Sequence, residues 1–441
     1  MKPAFIGIDI ATESTRALLV DENANVIGNA NAKLAPVIRG TDGSVTQDPK
    51  SWVIAVKSLL AEIQALAVQA GVKPISLVIS ATSGTFTLVN SEGDAVIPAA
   101  MYNDNRAGNP LDRAIFIRNT EKLNGNLRLV HTPEFVIAAL LNKKPQEIAA
   151  DWSHSLKTGV DLHTKNWNSQ VIAKAASENI SLPNIVAPGA KLGTIDDLDI
   201  YAGMTDGCTA QISAGGAELG SAVTTLGTTM VIKIVSNKDV SGPGYYSHLL
   251  PANSWLVGGA SNLGGISFKD FSSDIKNWDE KAEANGPASF VTYPLISKGE
   301  RFPIADKELT NISSGKAVDD SDNYRAILEG IAFAERLSYE ILAKAGAPLT
   351  GELKTVGGGA KSPIWCKIRA TVLNRPIIAQ KNSGSDLGAA LIAIAATTSP
   401  LDIAKGISAI NLPAGDIYQP NPAEVEAMSR SYELFSDTLF A

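Results

Sequence analysis

The sequence predicts an α/β protein in two halves, each opening on a strand, tight turn and strand and continuing into helices that cover a sheet. Three observations carry this expectation. The chain begins with FIGIDI, a small polar turn and RALLVD, and the same apolar strand, polar turn and apolar strand return in AVTTLGTTMVIKIVS. Short β runs alternate with stretches of helical periodicity. The 441 residues suit two to four domains of about 100–200 residues, enough for more than one core.

In chain order, FIGIDI and RALLVD are separated by a turn at Ala11 to Thr15, and a second turn at Glu22 to Asn25 leads into VIGNA. Asp48-Pro49 supplies an N-cap and first-turn pair. Trp52, Val56, Leu59, Leu60, Ile63 and Leu66 then recur at helical spacing until Gly71 ends the helix, which is expected to cover one sheet face. ISLVIS, residues 75–80, is a buried β run, followed by the small-residue loop Ala81 to Thr85 and the strand TFTLVN. A less regular stretch to about residue 195, with helix signals near 133–142 and 169–176, offers room for a ligand pocket. At IYAGMTDGCTAQISAGG a β run gives way to a helix that starts at Asp206, where the second half begins. Farther on, Tyr324, Ile327, Leu328, Ile331, Leu337 and Ile341 form a helical stripe, KTVGGGAKSPIW reads as strand, glycine turn and helix, and 386–397 is an alanine-rich helix. Gly227-Thr228-Thr229 stands in the second hairpin where Ala11-Thr12-Glu13 stands in the first, which points to an internal duplication.

Composition narrows the function. The chain has 38 basic and 45 acidic side chains, a net charge of −7, and no basic stripe interleaved with aromatics, which argues against a nucleic-acid partner. No apolar run approaches the roughly 18 residues of a membrane span, and the start MKPAFIGIDI enters a strand without a signal-peptide pattern. A cytoplasmic protein without a membrane partner is expected. Cys208 and Cys366 are the only cysteines, which excludes a disulfide framework. His131, His154, His163 and His248 lack metal-ligand spacing and read as surface or core hydrogen-bonding residues.

The loops carry the functional signals. Asp9 ends an apolar strand, with Thr12, Ser14 and Thr15 in the following turn; alone it reads rather as an Asp that bonds its own turn. Paired with Gly227, Thr228 and Thr229 in the matching hairpin, whose N–H groups and hydroxyls suit phosphate oxygens, it makes a phosphate clamp in which Asp9 holds a phosphate-bound Mg²⁺ through water. Gly357, Gly358, Gly359 and Ala360, between a strand and a helix, let a flat ligand such as adenosine approach the backbone. Neither the G-x-x-x-x-G-K-[ST] loop nor the protein-kinase signatures occur. Asp206 is the candidate for chemistry, since a carboxylate capping a helix N-terminus stays ionised and can accept a proton from a hydroxyl. Asp104 and Asp151 also lie in loops, where each alone reads as a turn residue.

These residues resemble the FGGY carbohydrate kinases of the actin and sugar-kinase ATPase superfamily, over nearly the whole chain. FIGIDIATESTRALLVD is similar to the family's first phosphate motif, Gln47-Asp48-Pro49 with Trp52 to its QDP-x-x-W helix start, and Tyr102-Asn103-Asp104-x-Arg106 to its W-N-D-x-R loop. Gly203 to Asp206 resembles the segment bearing the catalytic aspartate, Leu226 to Thr229 the second phosphate motif, Glu329-Gly330-Ile331-Ala332 the helix signature, and Gly357 to Trp365 the adenosine motif. YYSHLLPANSWLVGGASNLGG and YPLISKGERFPIAD look closest to the short D-ribulose kinase and xylulose kinase branch of cyanobacteria and plants. Three departures stand out: Ala11 replaces a glycine, Glu13 puts a negative charge in a phosphate loop, and Ala81-Thr82-Ser83-Gly84-Thr85 replaces the G-Q-M-H-G loop of xylulokinases.

The resemblance implies two actin-like (ribonuclease H-like) ATPase domains with an interdomain cleft: residues 1–200 binding sugar and 201–441 binding nucleotide. It implies transfer of the γ-phosphoryl group of ATP to the terminal hydroxyl of a ketopentose, D-ribulose ahead of D-xylulose or another polyol. Asp206 would act as general base, Mg²⁺, Asp9, Thr12 and Thr228 would hold charge, and Ser83, Asn103 and Asp104 would line the sugar pocket with Asp9 and Asp206. Domain closure on a hinge would exclude water. The partners expected are a small-molecule sugar and ATP, with the chain a monomer or homodimer. A non-catalytic sugar or nucleotide sensor on the same fold, or an actin-like assembly protein, are the rival classes; the intact Asp206 opposes the first and the Asn-Asp-x-Arg loop the second.

Overall fold

A computed structural model describes residues 1–251, 253–381 and 383–441. The chain forms two compact units. One comprises Met1–Ser213, His248–Ala252 and Gly384–Leu412, the other Ala214–Ser247, Asn253–Ser383 and Pro413–Ala441. A single cut at residue 200 therefore does not describe them, because 201–213, 248–252 and 384–412 belong to the first unit.

The first unit is built on β1 (Lys2–Ile10), β2 (Ser14–Val20) and β3 (Val26–Lys33), an antiparallel meander. The strand Val72–Ala81 pairs parallel with β1, Leu198–Tyr201 parallel with that, and Lys191–Ile195 closes the edge antiparallel. Helix α1 (Pro49–Ala70) starts as the sequence predicts: Asp48 accepts the Lys50 N–H, Pro49 opens the first turn, and Gly71 ends the helix at φ 69°. Trp52, Val56, Leu59 and Ile63 pack into one core with Ile6, Ile8, Leu19 and Leu77. By length and composition this helix would also pass for a membrane span, which the search for unbroken apolar runs missed because Lys50, Lys57 and Glu62 interrupt them. The alanine-rich helix Ser385–Thr398 lies directly on β1, so close that a methyl group at Gly7 would stand 1.9 Å from the Asp386 carbonyl oxygen. The same helix meets the helix Asp206–Ser213, where a methyl group at Gly388 would stand 1.9 Å from the Thr209 carbonyl oxygen. Close contact of small residues thereby sets Asp206 beside the end of β1.

A second six-stranded sheet of this unit, in the order Ile180–Ser181, Leu127–His131, Phe86–Val89, Ala99–Ala100, Val45–Gln47, Ile38–Arg39, packs Phe86, Leu88 and Leu129 on Leu111, Ala114 and Ile117. In the irregular stretch, a cavity of about 870 Å³ opens between Asn126, Trp167 and Ile185. It holds none of the predicted site residues.

The second unit repeats the plan. Ala222–Leu226 pairs antiparallel with Met230–Ser236, which pairs antiparallel with Trp255–Ser261; Leu353–Val356 joins parallel, Ile377–Ala379 parallel to that, and Asp416–Tyr418 antiparallel at the edge. These six of the sheet's seven strands repeat the parallel and antiparallel pairings of the first sheet in the same order, which supports the duplication read from the two hairpins. Their turns differ by one residue: four lie between the paired Ile10 and Thr15, three between Leu226 and Met230. Below the second turn, Arg369 makes two hydrogen bonds of 2.7 Å to Glu335 and one of 2.9 Å to Thr355 Oγ1, whose hydroxyl donates to the Thr224 carbonyl. Arg369 and Glu335 are both fully buried, so every one of these bonds is needed to offset the desolvation of the pair.

Candidate active site

In the first unit, Asp9 sits at the end of β1, 2 % exposed. Its Oδ2 accepts from Arg16 Nη2 at 2.8 Å across the β1–β2 pair, while Oδ1 is buried with no partner among the described residues. Burial raises the Asp9 pKa to about 6; Arg16 opposes this, and the charges of Asp206 and Asp386 add to it. The turn after Asp9 is tethered by Gln47, whose Nε2 donates to the carbonyl oxygens of Thr12 and Ala35 and whose Oε1 accepts from Trp52 Nε1. This gives the Gln-Asp-Pro-x-x-Trp pattern a physical meaning: it fixes the β1–β2 turn to the start of α1. Glu13 in that turn is exposed.

Ser83 and Asn103 come from two loops joined by Arg113. Its Nη2 donates to the Gly84 carbonyl, and its Nη1 to those of Met101, Tyr102 and Asp104. Ser83 Oγ and Asn103 Oδ1 are, like Asp9 Oδ1, buried without a partner among the described residues. Native interiors leave few polar atoms unpaired, so three of them on predicted sugar-binding residues point to a hydroxylated ligand. Asp104 differs from the expectation. Its carboxylate accepts the Val45 and Arg106 N–H groups and is gripped by the Arg106 guanidinium at 2.7–3.1 Å. It holds its loop in shape, and Asn103 is the residue of that loop with an acceptor to spare.

Asp206 is half-buried in the first turn of its helix. The N-cap expected of it falls instead to Thr205, whose carbonyl accepts the Cys208 and Thr209 N–H groups. Asp206 Oδ1 accepts the Gly207 N–H at 2.7 Å, which holds the carboxylate at the helix N-terminus. Its charge is felt by Asp9, His154 and Lys157. His154 is a buried hydrogen-bonding residue: Nδ1 meets Asp151 at 2.6 Å, and Nε2 lies 3.2 Å from the Ala81 backbone. Burial would lower its pKa, but the Asp151 carboxylate outweighs burial and raises it. Lys157 lies over the Ser83 loop, with Nζ donating to the Ser83 carbonyl at 3.4 Å. Burial lowers its pKa, Asp206 opposes this, and Arg113 adds to it.

In the second unit, the Gly227–Thr229 turn is clasped from one side: the Gly227 and Thr228 carbonyls accept the Gly265 and Ile266 N–H groups. Within the turn the Gly227 N–H is already spent on the Thr229 carbonyl at 3.0 Å, and the hydroxyls of Thr228 and Thr229 are donors of the kind an anion takes. Gly357 has φ 92°, and a methyl group there would meet the Leu226 carbonyl oxygen at 2.4 Å, so the glycine loop rests on the strand that carries the turn. Gly358 is different, since a methyl group on it would be 4.0 Å from that oxygen. Gly227, Thr228, Gly358 and Gly359 line one cavity of about 460 Å³ with Ile266, Phe268, Tyr324 and Trp365. Asp279 closes its floor, accepting from Tyr324 Oη and Ser362 Oγ. Ala360 faces a neighbouring cavity of about 690 Å³ with Lys361 and Lys381.

Sequence reasoning missed Arg16, Arg113, Lys157 and Asp386 in the first unit and Asp279 and Tyr324 in the second. Only Arg16 left a usable signal, since a cation two residues into the strand after a phosphate turn pairs across the hairpin with Asp9.

The duplicated sheet with a hairpin turn at each switch point is the actin-like, ribonuclease H-like ATPase architecture. The solved xylulose kinase from Rhodospirillum rubrum superposes with a TM-score of 0.85 over 98% of both chains at 22% identity. Residues 4–150 match the N-terminal domain and residues 222–397 the C-terminal domain of the FGGY family of carbohydrate kinases, and the chain belongs to that family. It is 25% identical to the xylulose kinase of Bacillus subtilis over 88% of this chain and 87% of that protein. It is also 25% identical to the xylulose kinase of Staphylococcus epidermidis, over 99% and 96%. The protein is a sugar kinase.

Proposed function

We propose that the enzyme transfers the γ-phosphoryl group of ATP to the terminal hydroxyl of an open-chain ketopentose, D-ribulose ahead of D-xylulose. The observation that carries the acceptor reading is the set of three unpaired buried atoms, Asp9 Oδ1, Ser83 Oγ and Asn103 Oδ1, around which hydroxyl groups can pair. Asp206, fixed at a helix N-terminus, accepts the hydroxyl proton as the sugar oxygen bonds to the γ-phosphorus and the bond to the ADP oxygen breaks. The Thr228 and Thr229 donors hold phosphate oxygens, and the cavity between Gly358, Phe268 and Tyr324 takes the adenosine.

Magnesium fits this chemistry in one way. Among the described residues no three His, Cys, Asp or Glu gather as a ligand set, so the ion would travel on the nucleotide phosphates, with Asp9 Oδ1 and Thr12 reaching it through water. When bound it would neutralise phosphate charge. Asp9 must be ionised to serve it.

D-ribulose is favoured by the Ser83-Gly84 loop, which has a short hydroxyl side chain and a glycine where the G-Q-M-H-G loop of xylulokinases has the larger Met-His. D-xylulose is the second reading, favoured by the names of the relatives. The epimers differ in the direction of one hydroxyl, and a pocket that pairs it rejects the other strongly because a polar group is left unpaired. Side-by-side kcat/KM values on both pure ketoses decide between them, with polyols as controls. Preference for xylulose overturns the ribulose assignment, and ATP binding without phosphorylation of any acceptor turns the reading to a sensor.

A further inference from the structure

Beside the Ser83 loop stands a lysine that the proton-transfer and phosphate chemistry does not use. Lys157 sits on the 3₁₀ turn Leu156–Thr158, which is anchored on both sides. Upstream, His154 is locked to Asp151 and to the backbone of Ala81, two residues from Ser83. Downstream, Thr158 Oγ1 bonds His131 Nε2 at 2.9 Å, and His131 in turn bonds Glu134. These anchors are buried, so the partly desolvated ammonium group of an otherwise exposed side chain is presented at a fixed place over the Ser83–Gly84 loop, in the field of Asp206.

The chemistry of the neighbouring unpaired atoms gives this position a meaning. Asp9 Oδ1 and Asn103 Oδ1 can only accept hydrogen bonds. They suit sugar hydroxyls and are useless to a carbonyl oxygen, which also only accepts. A ketose brings one such oxygen into the pocket. The donors on these residues are the Ser83 hydroxyl, the Asn103 amide Nδ2 and Lys157, whose ammonium has two protons left after the bond to the Ser83 carbonyl and is the one charged donor of the three. On the acceptor reading above, we infer that Lys157 is a specificity-determining residue that donates to the keto oxygen of the sugar and so selects ketoses over the corresponding polyols. The three histidine and threonine anchors are positioning residues for it.

The test compares wild type with Lys157→Met and Lys157→Arg on the better ketopentose and on the pentitols made by reducing it. In Lys157→Met the carbonyl oxygen loses a charged donor, whereas the pentitol hydroxyl can turn its own proton to Asp9 or Asn103. The ketose kcat/KM is expected to fall about ten- to hundredfold with a change of less than about threefold for the pentitols, so that the ratio of the two collapses. Lys157→Arg keeps a donor and is expected to retain most of the ratio. Thermal unfolding and Mg-ATP binding of both variants are expected to match wild type, because the side chain is exposed. A ketose-to-pentitol ratio in Lys157→Met within about twofold of wild type overturns the inference and leaves the kinase reading standing. Failure of wild type to phosphorylate any ketose overturns the acceptor reading, and the inference with it.

Discussion

Replacing Asp9 by asparagine should make the free protein more stable above pH 6 while abolishing its activity. The carboxyl group is buried and has one partner, Arg16, whose own side chain is half-exposed. Its pKa rises from 3.8 in a free chain to about 6 in the folded one. Because the folded pKa is the higher one, the folded protein holds the proton more tightly, and ionised Asp9 opposes folding. That penalty is fully present above pH 6, shrinks as pH falls from 6 to 3.8, and is gone below. The shift corresponds to about 3 kcal/mol. Loss of the charge partner of the half-exposed Arg16 takes back up to about 1 kcal/mol, leaving about 2 kcal/mol in favour of the variant. If the first unit melts as one cooperative block, its size makes that roughly 4–8 °C in thermal midpoint. The assay is thermal unfolding of both proteins from pH 4 to pH 8, with a chelator and without nucleotide. The variant should melt higher at pH 8, and the gap should close as pH falls. An Asp9→Asn protein less stable than wild type at pH 8, or a gap independent of pH, refutes the argument. In the same protein Mg-dependent phosphorylation should be lost, since a neutral amide cannot favour the water shell of a cation.

Three further outcomes are expected. Asp206→Asn keeps shape and helix start but cannot accept a proton, so turnover should drop at least about a hundredfold with thermal unfolding and ATP binding unchanged; retention of a tenth of the activity would reduce Asp206 to a structural residue. Gly358→Val should fold normally, since the backbone leaves room there, yet lose the thermal protection given by Mg-ATP; an unchanged ATP titration moves the nucleotide elsewhere. Arg369→Met leaves Glu335 buried without its cation and should cost about 3–5 kcal/mol in chemical denaturation, while a loss under 1 kcal/mol would mean that the network is slack.

What could be read in the sequence were the features whose cause is local. The β1–β2 hairpin, the Asp48-Pro49 start and Gly71 stop of α1, and the strand–glycine–helix run at 353–373 are each specified by residues within a few positions. The loops and element ends that carry Asp9, Asp206, Ser83, Asn103 and the glycines were legible as well, because motif spacing reports loops. The rest depends on contacts distant in sequence. Lys157 meets Ser83 across 74 positions, and Arg113 binds carbonyls of two separate loops. Asp104 could be placed in the right loop but not assigned a role, since nothing in its neighbourhood says that Val45, 59 positions away, will claim its carboxylate.

The return of residues 384–412 to the first unit has a consequence for how the protein is made. During synthesis β1 emerges among the earliest residues, but the helix that seals it at Gly7 and flanks Asp206 follows some 380 residues later. The first unit cannot close until the whole stretch 214–383 has left the ribosome, and in the interval one face of its central strand is open to water or to a chaperone. The second unit is likewise incomplete at that point, because Pro413–Ala441, with its edge strand Asp416–Tyr418, follows last of all. Fragments cut at the family domain borders, residue 150 or 222, would lack this last helix and should aggregate, whereas co-expressing 384–412 as a separate peptide should rescue a 1–213 fragment by completing its core.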